Sequence, residues 1–183
     1  MDPASDDIAP DTKDWTWVLD QPCPECAYVA DSYLIADLAP ATRRTVAAWQ
    51  EVFARPELRQ RPRPQVWSPL EYACHVRDVY GLFAERITLM LEQDNPQFAN
   101  WDQDATAVAE RYGEQEPTRV FEQLTDAGHA LADLLDDVPQ RRPNAWLRPG
   151  RRSDGSAFTV ESIARYMLHD VVHHLHDVGR PLA

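Results

Sequence analysis

The chain has 183 residues, of which 44% are hydrophobic and 26% charged, which is enough for one soluble globular domain with a substantial core. A net charge of −12 argues against nucleic acid as a partner, because neutralising phosphates requires a basic surface. No apolar run approaches the length of a membrane span, and the acidic, polar N-terminus does not resemble a signal peptide. We therefore expect a cytoplasmic protein that does not associate with membranes.

Residues 1–26 are predicted to form an acidic leader that ends in a Cys-Pro-Glu-Cys motif. Within it, the apolar stretch 15–19 is expected to dock onto the domain as a short strap. Cys23 and Cys26 leave three interpretations open, namely two unpaired thiols, a disulfide, or half of a metal site. No second C-x-x-C motif is present to complete a four-cysteine zinc site.

Hydrophobic periodicity predicts four substantial helices within residues 27–183, and hence an all-α four-helix bundle. The first helix is predicted over residues 29–54, with Pro40 either in its early turns or at a kink. Ser68 is a suitable N-cap for the second helix, and Glu71 completes a capping box. This helix is expected to run to about residue 93.

The third long helix is predicted over residues 117–137, and the fourth begins at Thr159 and ends at Gly179. Two loops connect the elements, over residues 94–106 and 139–156. The first loop carries aromatic residues that are expected to pack over the mouth of a pocket. Alternation typical of β-strands is almost absent from the chain.

The loop 139–156 is rich in arginine although the chain as a whole is acidic. Long loops in compact domains are usually functional or disordered. Guanidinium groups bind carboxylates in a bidentate manner, so this loop is a candidate clamp for the carboxylate of a substrate or of a thiol cofactor. The alternative is a solvated loop that pairs with surrounding acidic groups. The candidate cofactor-binding residues are Arg148, Arg151 and Arg152.

The last predicted helix carries four of the chain's six histidines. Residues four apart on a helix stack on one side, so either Asp170 and His174 or His169 and His173 can bind one ion. Asp170 and His174 lie on the shoulder of the apolar stripe, where side chains can enter a groove between helices. His169 and His173 lie almost opposite that stripe, where a helix usually meets water. We favour the Asp170/His174 pair, and we interpret His169, His173 and His176 singly as a solvated face.

The second-helix sequence Trp67-Ser-Pro-Leu-Glu-x-x-x-His75, together with the histidine-rich last helix, resembles the DinB/YfiT-like metalloenzyme superfamily. The resemblance covers residues 27–180 and implies an up-down-down-up bundle. It also implies a divalent metal bound by one histidine of the second helix and two residues of the fourth. Zinc is the expected metal, and nickel is the alternative. His75 matches the second-helix position.

The fourth helix matches the superfamily in two registers. Asp170, His174 and Asp177 fit the spacing of mycothiol-dependent relatives, although Asp170 stands where glutamate is usual. His169 and His173 fit members that use histidine at both positions. The resemblance also implies that the Cys-Pro-Glu-Cys motif lies at the end of the bundle away from the metal. We therefore do not expect its thiols to bind the same ion as the histidines.

The resemblance implies a thiol-dependent S-transferase or isomerase that uses a low-molecular-weight thiol such as mycothiol. A metal-dependent hydrolase and a non-enzymatic metal-binding stress protein are the alternatives. Tyr166, one helical turn before Asp170, is a candidate proton donor, and Asp177 is a candidate for orienting a ligand imidazole. We expect a small-molecule substrate and a homodimer.

Overall fold

The computed structural model describes Ile8 and residues 13–182, and long helices make up most of it. In chain order the helices are α1 (Ile35–Phe53), α2 (Pro69–Glu92), α3 (Gln103–Ala109), α4 (Pro117–Arg141) and α5 (Val160–Asp177). The helices α1 and α2 each pack mainly against α4 and α5, while α3 is short and peripheral. The four long helices form an up-down-down-up bundle, which confirms the predicted all-α class. No helix among the described residues is long and apolar enough to cross a bilayer.

The helix α1 begins at Ile35, later than the predicted start at residue 29. Residues 30–32 form a separate 3₁₀ turn. The new start is fixed by Asp37, whose carboxylate accepts a hydrogen bond of 3.0 Å from the backbone N–H of Leu34. Pro40 therefore lies in the early turns of α1, as one of the two sequence interpretations proposed.

The predicted capping box at the start of α2 is present. The Glu71 carboxylate accepts the backbone N–H of Ser68 at 2.8 Å, and the Ser68 hydroxyl accepts the backbone N–H of Glu71 at 3.3 Å. Arg61 also pairs with the buried Glu71 carboxylate. Because these bonds fix the first turn of α2, they also fix the direction in which His75 leaves the helix.

The predicted loop 139–156 is more ordered than the sequence suggested. Helix α4 continues through Pro139 to Arg141, and a hairpin follows. Its strands are β2 (Pro149–Arg152) and β3 (Ala157–Thr159), and β2 also pairs in parallel with β1 (Gln97–Phe98). These strands have at most four residues, too few for alternation to be recognised. Gly150 is required in β2, because a Cβ there would lie 2.6 Å from Cγ of Met90 on α2.

Residues 13–33, called here the N-terminal strap, run along the outer face of α5. Val18 of the strap is fully buried, which confirms the predicted docking of this stretch. The hydroxyl of Tyr28 donates a hydrogen bond of 2.8 Å to the carbonyl of Arg165 on α5. The remainder of the predicted leader, residues 1–7 and 9–12, lies outside the described residues.

The strap covers the face of α5 that was interpreted as solvated. His169 is only 3% exposed and His173 only 7%. The prediction is therefore wrong for these two residues, because a non-helical segment supplies the partner that the helical periodicity does not reveal. It holds for His176, which is exposed.

Glycine at position 128 is required by the close packing of α4 against α1 and α2. A Cβ there would lie 2.9 Å from Cε2 of Tyr80 and closer still to Val46. We expect Gly128→Ala to lower the free energy of unfolding by about 1–3 kcal/mol through overpacking. Gly81→Ala is the matched control, because its Cβ meets nothing within 4 Å. It should stabilise α2 by up to about 1 kcal/mol. Urea unfolding measures the stability of both variants. Equal changes in the two variants would contradict the requirement for glycine at position 128.

The charge of Glu71 is expected to stabilise the fold in a pH-dependent manner. Burial alone raises the pKa of Glu71, but the hydrogen bonds from Arg61 and Ser68 outweigh burial and lower it below its ordinary value. A lowered folded-state pKa gives stability that is present above the unfolded pKa of about 4.5 and is lost as the pH falls through the folded value. Glu71→Gln should therefore cost about 1–3 kcal/mol at pH 7. The difference in unfolding free energy between this variant and the unchanged protein should shrink below pH 4.5. A difference that stays constant with pH would show that the charge of Glu71 does not stabilise the fold.

Candidate metal centre

Three side chains from two helices meet beside a cavity of about 710 Å³, which Asp170 and His174 line while His75 lies buried behind them. Nε2 of His75, on α2, lies 3.3 Å from Oδ1 of Asp170, on α5. Nε2 of His174, one turn further along α5, lies 3.4 Å from the same carboxylate oxygen. The structure thus brings His75 together with the Asp170/His174 pair that the sequence analysis favours.

The spacing of these atoms fits a tetrahedral zinc ion. Bonds of 2.0–2.2 Å to nitrogen and oxygen place neighbouring ligand atoms of a tetrahedron about 3.3–3.5 Å apart. Both contacts to Asp170 fall in this range. Two imidazoles and one carboxylate are also a donor set that zinc accepts while retaining an open position. The residues present therefore fit a catalytic type of metal site.

The electrostatics favour the protonation states that bind a metal. Burial lowers the pKa of His75, so its imidazole is neutral at physiological pH. Burial alone raises the pKa of Asp170, but the hydrogen bond from His75 and the neighbouring imidazoles outweigh burial and lower it to about 2. A neutral imidazole and an ionised carboxylate are the forms that coordinate metals, so binding requires little proton release.

Asp177 contacts the ring of His174 on the side away from Asp170. Its Oδ2 atom lies 2.9 Å from Nδ1 of His174. A carboxylate at this position keeps the proton on Nδ1 and leaves the Nε2 lone pair facing His75 and Asp170. Outer carboxylates of this kind orient ligating histidines in metalloproteins and raise their basicity.

Aromatic residues enclose His75. The ring of Trp101 stacks on it at 5.2 Å between centroids and 10° between planes, and Trp67 lies 5.3 Å away on another side. Trp101 belongs to the loop after α2, which confirms that aromatics of this loop pack over the pocket. Arg86 holds that loop in place by donating a hydrogen bond of 3.0 Å to the carbonyl of Ala99.

The arginine-rich segment contributes one side chain to the cavity. Arg152 lines it and pairs with Asp154 at 2.6 Å. Arg148 instead donates hydrogen bonds to the carbonyls of Met90 and Gln93, at the end of α2. Arg151 is exposed and is not among the lining residues. The segment therefore does not form the three-arginine clamp that the sequence suggested.

The other predicted site residues lie in two places. Tyr166 lines the cavity. His169 also lines the cavity, but it packs with His173 against the strap, where Sγ of Cys23 lies 3.7 Å from Nδ1 of His173. The expectation that the Cys-Pro-Glu-Cys motif lies away from the candidate metal centre is therefore wrong. The strap runs along α5 before the chain enters α1, and this brings the motif beside the histidines.

Sequence reasoning missed two aromatic residues near the centre. Trp15 of the strap lines the cavity, and the ring of Tyr72 lies 5.1 Å from that of His174. Tyr72 lies three residues before His75 and so shares its side of α2, a signal that the sequence did offer. A larger cavity of about 810 Å³ lies between α2 and α4, but its lining contains no histidine or cysteine.

Fold and site together define a helical-bundle protein with a candidate metal centre between α2 and α5. The chain belongs to the DinB superfamily, whose family model matches residues 38–178. A similar solved structure is that of YfiT from Bacillus subtilis, described as a probable metal-dependent hydrolase with an unusual four-helix bundle topology. The similarity has a TM-score of 0.69 at 16% identity and covers 80% of this chain and 86% of YfiT, which establishes the shared fold. No curated protein matches the chain.

We expect Asp177→Asn to weaken zinc binding at this centre by about 10–100-fold without removing a ligand. The variant replaces the charged acceptor that orients the His174 ring with a neutral amide. Asp170→Asn removes a candidate ligand and should have a larger effect. Asp137→Asn, at a surface ion pair on α4, is the control and should leave affinity unchanged. Competition titration against a zinc chelator measures all three, and equal affinities for the Asp177 and control variants would contradict the role of Asp177.

Proposed function

We propose that this protein is a metal-dependent enzyme that transfers a low-molecular-weight thiol to an electrophilic small molecule, or isomerises a thiol adduct. The observation that carries the proposal is the triangle of His75, Asp170 and His174, which opens into a cavity large enough for a small ligand. Mycothiol is the candidate thiol, as the resemblance to mycothiol-dependent relatives implies. Zinc is the candidate metal, and nickel the alternative.

The three residues would hold the ion through Nε2 of each histidine and a carboxylate oxygen of Asp170. When bound there, zinc supplies a Lewis-acidic position that lowers the pKa of a thiol or water by several units. The surrounding aromatic rings exclude water from His75, and a low-dielectric environment strengthens the interaction between Asp170 and any nearby positive charge. The chain thus provides a preformed anionic site whose His75 imidazole is shielded from water.

Tyr166 is placed to donate a proton or hydrogen bond to a reacting group in the cavity. Burial and the charge of Asp170 raise the pKa of its phenol, so the hydroxyl stays protonated at neutral pH. Its partner is Arg152, whose pKa is raised by interaction with Tyr166 and Asp154 despite burial. In this proposal the neighbouring Arg152 orients the Tyr166 oxygen, while the phenolic proton remains available to a leaving group.

The charges that line the cavity favour an uncharged or cationic ligand. Carboxylates outnumber cationic groups in the lining, which includes Asp14, Asp102, Asp104, Asp154 and Asp170 but only Lys13 and Arg152 as cations. Like charges repel at short range, so a thiol with several carboxylates is disfavoured. A hydroxyl-rich neutral thiol such as mycothiol suits this lining better. Its hydroxyl groups can donate hydrogen bonds to the aspartates.

Metal-dependent hydrolysis is the second candidate function. It is favoured by the description of YfiT as a probable metal-dependent hydrolase, since the two chains share a fold. The same three ligands and the same open position would then activate water instead of a thiol. A non-enzymatic metal-binding protein is the third candidate.

Turnover of a halogenated nitrobenzene by the zinc-loaded protein, with and without mycothiol, separates these functions. The proposal predicts turnover that requires the thiol and is abolished in His75→Ala. Equal rates with and without thiol would remove the transferase assignment in favour of hydrolysis. Zinc bound without turnover of thiol acceptors or of ester and amide substrates would support a binding protein.

The role of Tyr166 is tested in the same assay. We expect Tyr166→Phe to lower kcat by about 10²-fold, the lower end of the range for general acid catalysis, at unchanged zinc content. Tyr33→Phe removes a phenol that lies outside the cavity and is the matched control. An unchanged kcat in Tyr166→Phe would exclude proton donation by this residue.

A further inference from the structure

A second cluster of candidate metal-binding side chains lies between the strap and α5; it shares no residue with the His75 centre, although one member, His169, lines the same cavity. It contains two thiols and two imidazoles, whose candidate ligand atoms all lie within 4.8 Å of one another. Three of the four residues are buried and the fourth is half-buried. The members of the cluster are Cys23, Cys26, His169 and His173.

One pair of ligand atoms in this cluster has the separation expected around a tetrahedral ion. Zinc bonds of about 2.3 Å to sulfur and 2.0–2.1 Å to nitrogen place the two ligand atoms about 3.6 Å apart. Sγ of Cys23 lies 3.7 Å from Nδ1 of His173. The sequence spacings, C-x₂-C and H-x₃-H, are also those found among structural zinc sites.

One buried nitrogen in the cluster has no partner. His169 is only 3% exposed, and its Nε2 atom is inaccessible to solvent. This atom makes no hydrogen bond with the described residues. Leaving a buried polar atom unsatisfied costs about 1–3 kcal/mol, so such atoms require an explanation. Coordination of an ion by His169 supplies one.

Carboxylates surround the outer side of His173, as expected of a ligating histidine. Its Nε2 atom lies 3.6 Å from Oε2 of Glu25 and 3.8 Å from Oδ1 of Asp177. Because Nδ1 faces Cys23, the opposite nitrogen is the one that meets the negative charge. Carboxylates in this position orient ligating histidines and raise their basicity.

We propose that two thiolates of the strap and two imidazoles of α5 hold a structural zinc ion, separate from the His75 centre. Four protein ligands fill the coordination sphere, which is the pattern of a closed structural site rather than of a catalytic one. A disulfide between Cys23 and Cys26 would use both thiols and would leave the buried Nε2 of His169 unsatisfied. The two cysteines lie before residue 38, where the family match begins, so the thiolate half of the site is outside the matched region.

The ion would tie the strap to α5 and thereby form one wall of the cavity. Trp15 packs against both histidines, with ring centroids 5.4 Å from His169 and 4.9 Å from His173. Trp15 also lines the cavity beside the His75 centre. Loss of the ion would release the strap and open that wall.

Cobalt(II) substitution of the full-length protein tests the proposal, because cobalt bound to cysteine gives an intense thiolate charge-transfer band in the near ultraviolet. The reduced, metal-free protein is titrated with cobalt(II), and bound metal is counted by elemental analysis. We expect one ion per cluster and a thiolate band with the strong visible bands of tetrahedral cobalt. A Cys23→Ser/Cys26→Ser variant should lose the thiolate band and one ion, whereas Cys74→Ala, a buried cysteine outside both clusters, should lose neither.

A second variant keeps the test decisive if the double-cysteine variant does not fold. His75→Ala/His174→Ala removes the other centre and should keep the thiolate band at full intensity with a single bound ion. Absence of the band in the unaltered reduced protein would overturn the proposal, as would its persistence in the folded double-cysteine variant. Failure of the enzymatic proposal would not affect these results, because the His75 centre contains no thiolate.

Discussion

The site depends on a contact between polar side chains inside a largely apolar bundle, where His75 on α2 meets Asp170 on α5. Burying a charged carboxylate and an imidazole is unfavourable unless each has a partner. His75 and Asp170 can contact each other only if α2 and α5 pack in a fixed relative register. Two capping boxes, one at Ser68 and one at Thr159, fix where each of these helices begins. The three candidate ligands lie about two to four turns after the caps of their helices.

The helix α5 presents ligating side chains to two different neighbours. Successive residues are rotated by about 100°, so two pairs with i, i+4 spacing that differ by one residue point in different directions. Asp170 and His174 face α2, whereas His169 and His173 face the strap. Asp177 lies near a histidine of each pair, with one oxygen close to His174 and the other close to His173. One carboxylate thus connects the two clusters.

The sequence predicted those elements whose signals are local or helical. Capping boxes and 3.6-residue periodicity identified the beginnings of α2 and α5, and the shoulder position of Asp170 and His174 indicated the side that faces α2. The strands were missed because pairing of two to four residues depends on the tertiary position of the segment against α2. The burial of His169 was missed because its partner is a non-helical strap, whose docking leaves no periodic pattern. Arg148 was misinterpreted because hydrogen bonding to helix-end carbonyls has no sequence signature.

The most direct test of the central claim is a crystal structure of the zinc-loaded protein with anomalous difference density measured at the zinc edge. The account predicts a peak bonded to Nε2 of His75, Nε2 of His174 and a carboxylate oxygen of Asp170, at about 2.0–2.2 Å from each. Anomalous density that avoids His75, with that imidazole bonded only to protein groups or water, would contradict it.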